Sequence, residues 1–274
     1  MPRQFNSFST WFNQSYKYPK FSVMTDYNPF SLEGKTILVT GASSGIGAAT
    51  AIECAKLDAK VIVTARNEAR LSETLSRMSG QGHQMMLYDL TVQSHIESLV
   101  KDLPTIDGAV LCAGIGSTLP FQFCSSQKME EVFNINFFAT VELLRLMVKK
   151  KKLLAPSSVV FVSSVEGNSV YSIGNSVYAA SKGALNTMMK QAALELASRK
   201  IRVNSVNPGM VKTKLIKEGI SMTEEQLRED EKRYPLGRYG EPEDIAMSIV
   251  YLLSDASCWV TGHALVIDGG VSLL

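Results

Sequence analysis

The chain has 274 residues, enough for one large or two small domains with a sizeable buried core, and its 45% hydrophobic and 20% charged content is ordinary for a globular protein. A net charge of +2 gives no footprint for nucleic acid or an anionic membrane surface, and no apolar run approaches the roughly 18 residues of a membrane span. The four cysteines (Cys54, Cys112, Cys124, Cys258) have no CxxC spacing and the three histidines lie far apart, which argues against a metal site or disulfide framework and for a reducing cytoplasm.

Residues 1–30 differ from the remainder: Phe5, Phe8, Trp11, Phe12, Tyr16, Tyr18, Phe21, Tyr27 and Phe30 sit among polar residues. No continuous apolar h-region marks a secretory signal. The expectation is an aromatic-rich arm, disordered or loosely attached over about residues 1–23, with Met24 as an alternative start.

Thr36 to Thr40 is an apolar, β-branched run and reads as a buried parallel strand. Gly41-Ala42-Ser43-Ser44-Gly45-Ile46-Gly47 follows at once, and Ala48 to Leu57 reads as a helix. Strand, glycine turn and helix in that order make a phosphate site, because glycines admit a pyrophosphate and the helix N-terminus offers free N–H groups. The spacing is GxxxGxG, not the general GxGxxG.

Lys60 to Ala65 is the second strand. Where an NAD site wants an acid for the ribose 2′-hydroxyl, this chain has Ala65 and Arg66. Arg66 would face a 2′-phosphate through its planar fork of donors, so NADP(H) is the expected cofactor, with NAD(H) the other option. The bland reading is a surface arginine at a helix start. Glu68 to Met78 reads as a helix and His83 to Tyr88 as the third strand, followed by Asp89-Leu90. Asp89 could accept from an adenine amino group or cap the helix beginning near Val92.

Ile106 to Leu111 is the fourth strand, ending in Cys112-Ala113-Gly114. One long helix is expected from about Gln127 to Lys152, with Asn136 inside it and Lys149 to Lys152 complementing its dipole. Phe133, Phe137, Phe138, Val141, Leu144 and Met147 on this helix fit either a core face or an interface.

Val159 to Val162 is the fifth strand and ends at Ser163-Ser164. Tyr178 follows on a helix running to about Arg199, with Lys182 four residues on. That spacing puts phenol and amine on one helix face, where an ammonium favours the phenolate and makes proton exchange accessible near neutral pH. A Tyr and a Lys four apart on a solvated helix is the bland alternative. Ile201 to Val206 is the sixth strand, closed by Asn207-Pro208-Gly209. Thr213 to Tyr234 is polar, with one short helix over Glu224 to Lys232, and reads as a lid. Pro242 opens a helix to Leu253, and Leu265 to Ile267 is the last strand.

Alternating strands and helices imply one α/β domain over 31–274, a Rossmann-like doubly wound parallel sheet of about seven strands with helices on both faces. In such a sheet ligands bind beyond the C-terminal strand ends. The glycine turn, Arg66, Asp89, Ala113-Gly114, Ser164 and Pro208-Gly209 all fall there.

These segments together resemble the short-chain dehydrogenase/reductase family over roughly residues 32–274. The matching pieces are Thr40 to Gly47, Asp89-Leu90, Ala113-Gly114, Asn136, Ser164, Tyr178-Ala179-Ala180-Ser181-Lys182 and Val206 to Gly209. Pro235 to Arg238, Gly240 to Ala246 and Val266 to Gly270 look most like the branch of the β-ketoacyl-acyl-carrier-protein reductases. The resemblance implies that Tyr178 exchanges the proton, Lys182 lowers its pKa and binds the nicotinamide ribose, Ser164 polarises the substrate oxygen, and Asn136 holds a relay water. It also implies cofactor contacts from Gly41, Ser43, Ser44, Gly45, Ile46, Gly47, Asp89, Leu90, Ala113, Gly114, Pro208, Gly209, Val211 and Thr213, beside Arg66, Tyr178 and Lys182.

The implied activity is NADPH-dependent reduction of a carbonyl to a secondary alcohol, with a 3-oxoacyl chain on acyl carrier protein as one substrate. The alternatives are an NAD(P)-dependent sugar, polyol or other alcohol dehydrogenase, and a non-catalytic nucleotide-binding regulator. Homodimers or homotetramers are the implied assemblies. Two departures stand out. Leu111-Cys112 replaces the family's Asn-Asn, which removes hydrogen-bonding groups from that turn. The separation of Ser164 from Tyr178 is one residue longer than in many relatives, which makes Ser163 a rival to Ser164.

Overall fold

The β-branched runs of the sequence become the central strands of a seven-stranded, all-parallel sheet in the order β3-β2-β1-β4-β5-β6-β7. The computed structural model describes residues 27–213 and 223–274. The expected arm over 1–23 and residues 214–222 of the expected lid lie outside these residues. In chain order the main elements are β1 (Thr36–Thr40), α1 (Gly45–Lys56), β2 (Lys60–Ala65), α2 (Glu68–Ser76), β3 (Gln84–Leu87), α3 (Gln93–Asp102) and β4 (Ile106–Leu111). Then come α4 (Ser126–Phe133), α5 (Thr140–Lys149), β5 (Leu153–Val162), α6 (Ser176–Leu196), β6 (Ile201–Pro208), α7 (Glu224–Glu231), α8 (Pro242–Leu253) and β7 (Ala264–Ile267). Among the described residues no helix is long and apolar enough to cross a membrane.

Alternation along each strand feeds two cores. Leu38, Ile62, Ala109, Val159, Phe161 and Val203 pack on one face against α3, α5 and α6 through Leu99, Leu143, Met147, Leu185 and Met189. Ile37, Val39, Val61, Val63, Val110 and Val160 face the other way, onto α1 and α8 through Ala51, Ile52, Ile245 and Ile249. Burying a side chain of this size stabilises by roughly 1.5–3 kcal/mol. Both faces are therefore covered, as a parallel sheet requires. The chain reverses its direction of travel across the sheet between β1 and β4, which opens a crevice at their C-terminal ends.

The expected single helix over 127–152 is not continuous. A π-helical turn over Asn134–Ala139 separates α4 from α5. One extra residue in the turn swings Asn136 to complete burial, a placement that helical periodicity cannot reveal. The aromatic stripe divides accordingly: Leu144 and Met147 enter the core, whereas Phe138 is exposed and packs edge-on with Phe137. The lysine run also divides. Lys149 ends α5, Lys151 adopts a left-handed conformation, and Lys152 turns away so that Nζ donates to the carbonyls of Lys101 and Leu103 at the end of α3.

Strand β5 begins six residues earlier than its apolar core, at Leu153 rather than Val159. The polar Ser157-Ser158 hides this start in the sequence, yet both residues are buried, and Ser158 Oγ donates to Leu252 O at 2.7 Å. Pro242 occupies the first turn of α8 as expected.

Candidate active site

The turn after β1 is built so that backbone approaches backbone. Gly41 has φ +64°, and a Cβ there would sit 3.0 Å from Ala113 Cα. A Cβ on Gly47 would lie 2.4 Å from Gly41 O, closer than any carbon can approach. α1 begins inside the motif at Gly45, three residues earlier than the apolar pattern suggests. Ser44, its N-cap, makes no side-chain capping bond, which leaves first-turn amide protons available to an anion. The same turn is fastened to the end of β4 by Thr40, whose Oγ1 accepts from Cys112 N at 2.9 Å and Ala113 N at 3.1 Å. The missing Asn pair thus costs the turn no main-chain support. Burial pushes the Cys112 thiol up to about 11, so it stays neutral.

At the end of β2, the exposed Arg66 guanidinium lies 3.8 Å from Asp89 at the end of β3. Asp89 does not cap α3, because Val92 holds that position. Its Oδ1 accepts instead from Thr91 N at 2.9 Å and Thr91 Oγ1 at 2.7 Å. Burial pushes the Asp89 carboxyl up, but the Thr91 hydrogen bonds and the Arg66 charge together hold it below its usual value. Arg70, one turn into α2, lines the same end of the cleft.

The other end of the cleft is assembled by β5 and α6. Ser164 lies just beyond β5, where its Oγ accepts from Glu166 N at 3.2 Å and shares the cleft wall with the Tyr178 phenol, whose pKa it lowers. Ser163 points its hydroxyl elsewhere, donating to Lys182 O at 3.0 Å. The structure therefore brings Ser164, and not Ser163, to the tyrosine. Tyr178 stands in the first turn of α6, with Lys182 Nζ 5.8 Å from its ring centroid. Burial raises the phenol to about 12, although the Ser164 hydrogen bond pulls it down. Burial lowers Lys182 to about 8. Lys182 Nζ donates to Val162 O at 2.8 Å. The expectation that Lys182 depresses the Tyr178 pKa is not met in this arrangement, because the amine is directed to a main-chain carbonyl and desolvation of the phenol dominates.

Asn136 is a brace beneath this end. Its Oδ1 accepts from Ile115 N at 2.8 Å, and its Nδ2 donates to Ile115 O at 3.0 Å and Ser181 Oγ at 3.1 Å. Both amide protons are committed within the fold, and one Oδ1 lone pair is left over. Gly114 sits between the two groups: a Cβ there would be 3.0 Å from Asn136 Oδ1 and 3.5 Å from Lys182 Nζ.

One cleft of about 1000 Å³ runs along this edge. Gly41, Ser43, Ser44, Gly45, Ile46, Arg66, Asp89, Leu90, Ala113 and Gly114 line it at the glycine-turn end. Ser164, Tyr178, Lys182, Pro208, Gly209, Val211 and Thr213 line the remainder. Gly47 and Asn136 lie behind the wall instead of in it. Gly209 has no room for a side chain, since a Cβ would meet Asp268 Cβ at 2.9 Å, and a Cβ on Gly45 would meet Thr213 Cγ2 at 3.0 Å. Sequence reasoning missed Thr40, Arg70 and Glu166. Arg70 was within reach of it, four residues past Arg66 on a helix that starts at Glu68. The other two roles depend on tertiary approach. A tight glycine turn at a helix N-terminus without a side-chain cap, with cations at one end and a Ser–Tyr–Lys cluster at the other, fits a nicotinamide dinucleotide.

Comparison with known proteins agrees with this geometry. The family described as enoyl-(acyl carrier protein) reductase matches residues 41–272. A 3-oxoacyl-[acyl-carrier-protein] reductase from Thermotoga maritima is 36% identical, over 88% of this chain and 98% of its own. A tropinone reductase homologue from Arabidopsis thaliana is 33% identical, over 91% of this chain and 94% of its own. A crystal structure of an NAD(P)-dependent gluconate 5-dehydrogenase candidate from Beutenbergia cavernae, with bound NADP, superposes with a TM-score of 0.82 at 30% identity. It covers 90% of this chain and 100% of its own. A glycine turn that excludes side chains, a Ser–Tyr–Lys cluster at the far end of the same cleft, and a match across nearly the whole chain lead to one conclusion: this protein is an oxidoreductase of the short-chain dehydrogenase/reductase family.

Proposed function

We propose that the protein reduces a ketone to a secondary alcohol with NADPH, with a 3-oxoacyl thioester as one candidate substrate. The observation that carries this reading is that Ser164, Tyr178 and Lys182 line the same cleft as Arg66 and Arg70, with the Ser164 hydroxyl pulling the phenol's pKa down. Nicotinamide, when bound, supplies the hydride. Tyr178 delivers the proton to the carbonyl oxygen, and its raised pKa keeps it protonated, as an acid must be, through the neutral range. Ser164 donates to the same oxygen and orients it. Lys182, as an ammonium, offsets the charge that develops on the departing phenolate and holds the ribose. Asn136 fixes the Ile115 main chain under the site and offers its spare lone pair to a relay water.

Cofactor choice follows from charge. A 2′-phosphate gains from Arg66 and Arg70, and Asp89 is already drawn toward Arg66, so its capacity to favour a bare ribose is reduced. Exposed Phe138 and Met129, on the π-helical turn and α4, suit a contact between copies of this chain. Initial rates of ketone-dependent oxidation of NADPH and of NADH test the reading. NADPH should be preferred by at least about tenfold in kcat/KM, the equivalent of roughly 1.4 kcal/mol. Equal use of both cofactors would contradict the assignment of Arg66.

A further inference from the structure

A second cavity of about 380 Å³ opens beside the main cleft. Its lining is mainly apolar: Pro120 and Phe121 from the segment after β4, Tyr171 and Ile173 from the segment after β5, and Ala179 of α6. Glu166, Ser172 and Asn175 border both cavities. The groove is thus continuous with the place where a carbonyl meets Ser164 and Tyr178.

The walls are braced against each other. Leu119 N donates to Gly174 O at 2.7 Å, and Thr118 Oγ1 donates to Asn175 Oδ1 at 3.2 Å. At the junction, the carboxylate of Glu166 accepts from Ser172 N at 3.2 Å and from Asn175 Nδ2 at 3.1 Å. Its partners here are amide N–H groups and not a cation, so an anion entering from the cleft meets a carboxylate. Around the mouth, Phe121 and Tyr171 are strongly exposed and Ile173 is entirely so. Large apolar side chains clustered at the rim of a braced groove mark a surface that a ligand covers.

Resting on the carbonyl-reductase reading above, we propose that this groove is the subsite for an uncharged, apolar chain or ring attached to the substrate ketone, and that Glu166 excludes substrates carrying an anion within a few bonds of the carbonyl. The reading separates long-chain ketones and 3-oxoacyl chains, which fit, from keto acids and sugar acids, which do not. Burial of each methylene should raise kcat/KM by about three- to fourfold until the groove is filled.

The test is the NADPH-dependent reduction of 2-alkanones from butanone to 2-decanone by the full chain, alongside Ile173→Asp and Tyr171→Asp. The readout is the ratio of kcat/KM for 2-decanone to that for butanone. It should be large in the wild type and fall at least tenfold in each variant. A ratio that is flat in the wild type, or unchanged in both variants, overturns the proposal. So does an unchanged ratio accompanied by a smaller assembly for Ile173→Asp, which would assign the patch to contact between copies. 4-Oxopentanoate should be reduced at least tenfold less efficiently than 2-hexanone, with the gap narrowed by Glu166→Gln; an equal rate overturns the role of Glu166. If no ketone oxidises NADPH at all, the functional reading fails separately. Calorimetric binding of 2-decanol then decides the groove alone: tenfold weakening by Ile173→Asp supports it, and unchanged binding overturns it.

Discussion

Lys182 Nζ and Val162 O are 2.8 Å apart, and this bond ties the α6 lysine to the last residue of β5. It holds a buried amine whose pKa falls to about 8, against a phenol whose pKa rises to about 12. With the phenol protonated and the lysine cationic at neutral pH, the pair is in the charge state that the proposed acid catalysis needs.

That arrangement predicts a pH profile. Tyr178 keeps its proton far above neutrality, so it does not limit reduction there. Lys182 is charged below about 8 and loses that charge as pH rises through it. Log kcat/KM for reduction should be flat at neutral pH and fall above about pH 8. Lys182→Met should lower kcat/KM by about 100-fold or more and erase that limb, as read from rates at 340 nm.

The strands and the cofactor turn were legible because their signals are local. Thr36–Thr40 and Ile106–Leu111 are apolar runs, and the glycine spacing follows the first of them directly. The π-helical turn at Asn136 was hidden, since one additional residue leaves composition and periodicity almost unchanged. The early part of β5 was hidden by buried serines whose partners come from other elements. Counting residues could not choose between Ser163 and Ser164. The choice depends on which hydroxyl faces α6's main chain and which faces its tyrosine.

Asn136→Ala should destabilise the fold by about 2–3 kcal/mol, because Ile115 N–H, Ile115 C=O and Ser181 Oγ all lose a buried partner. Urea unfolding with unchanged m-value measures this. A loss below about 0.5 kcal/mol would show that Asn136 is not the brace described.

Gly47→Ala should disrupt the dinucleotide turn, since its Cβ would lie 2.4 Å from Gly41 O. NADPH affinity should fall at least tenfold by fluorescence titration. Gly183→Ala in α6 is the contrasting case: its Cβ meets nothing closer than Gly167 O at 3.4 Å. It should fold normally and gain up to about 1 kcal/mol of helix stability.

Arg66→Asp should weaken NADPH by about 10–100-fold while sparing or improving NADH, because it replaces the cation proposed to meet the 2′-phosphate with a carboxylate beside Asp89. Dissociation constants for both cofactors check this. Parallel loss of both would point to a damaged turn instead of a reversed charge.

The central claim is that Tyr178 supplies the proton that accompanies hydride transfer. The most direct measurement is the single-turnover oxidation of bound NADPH by a ketone in the wild type and in Tyr178→Phe, followed at 340 nm. The phenylalanine variant should bind NADPH with unchanged affinity and react at least about 100-fold more slowly. Reaction at the wild-type rate would contradict the account.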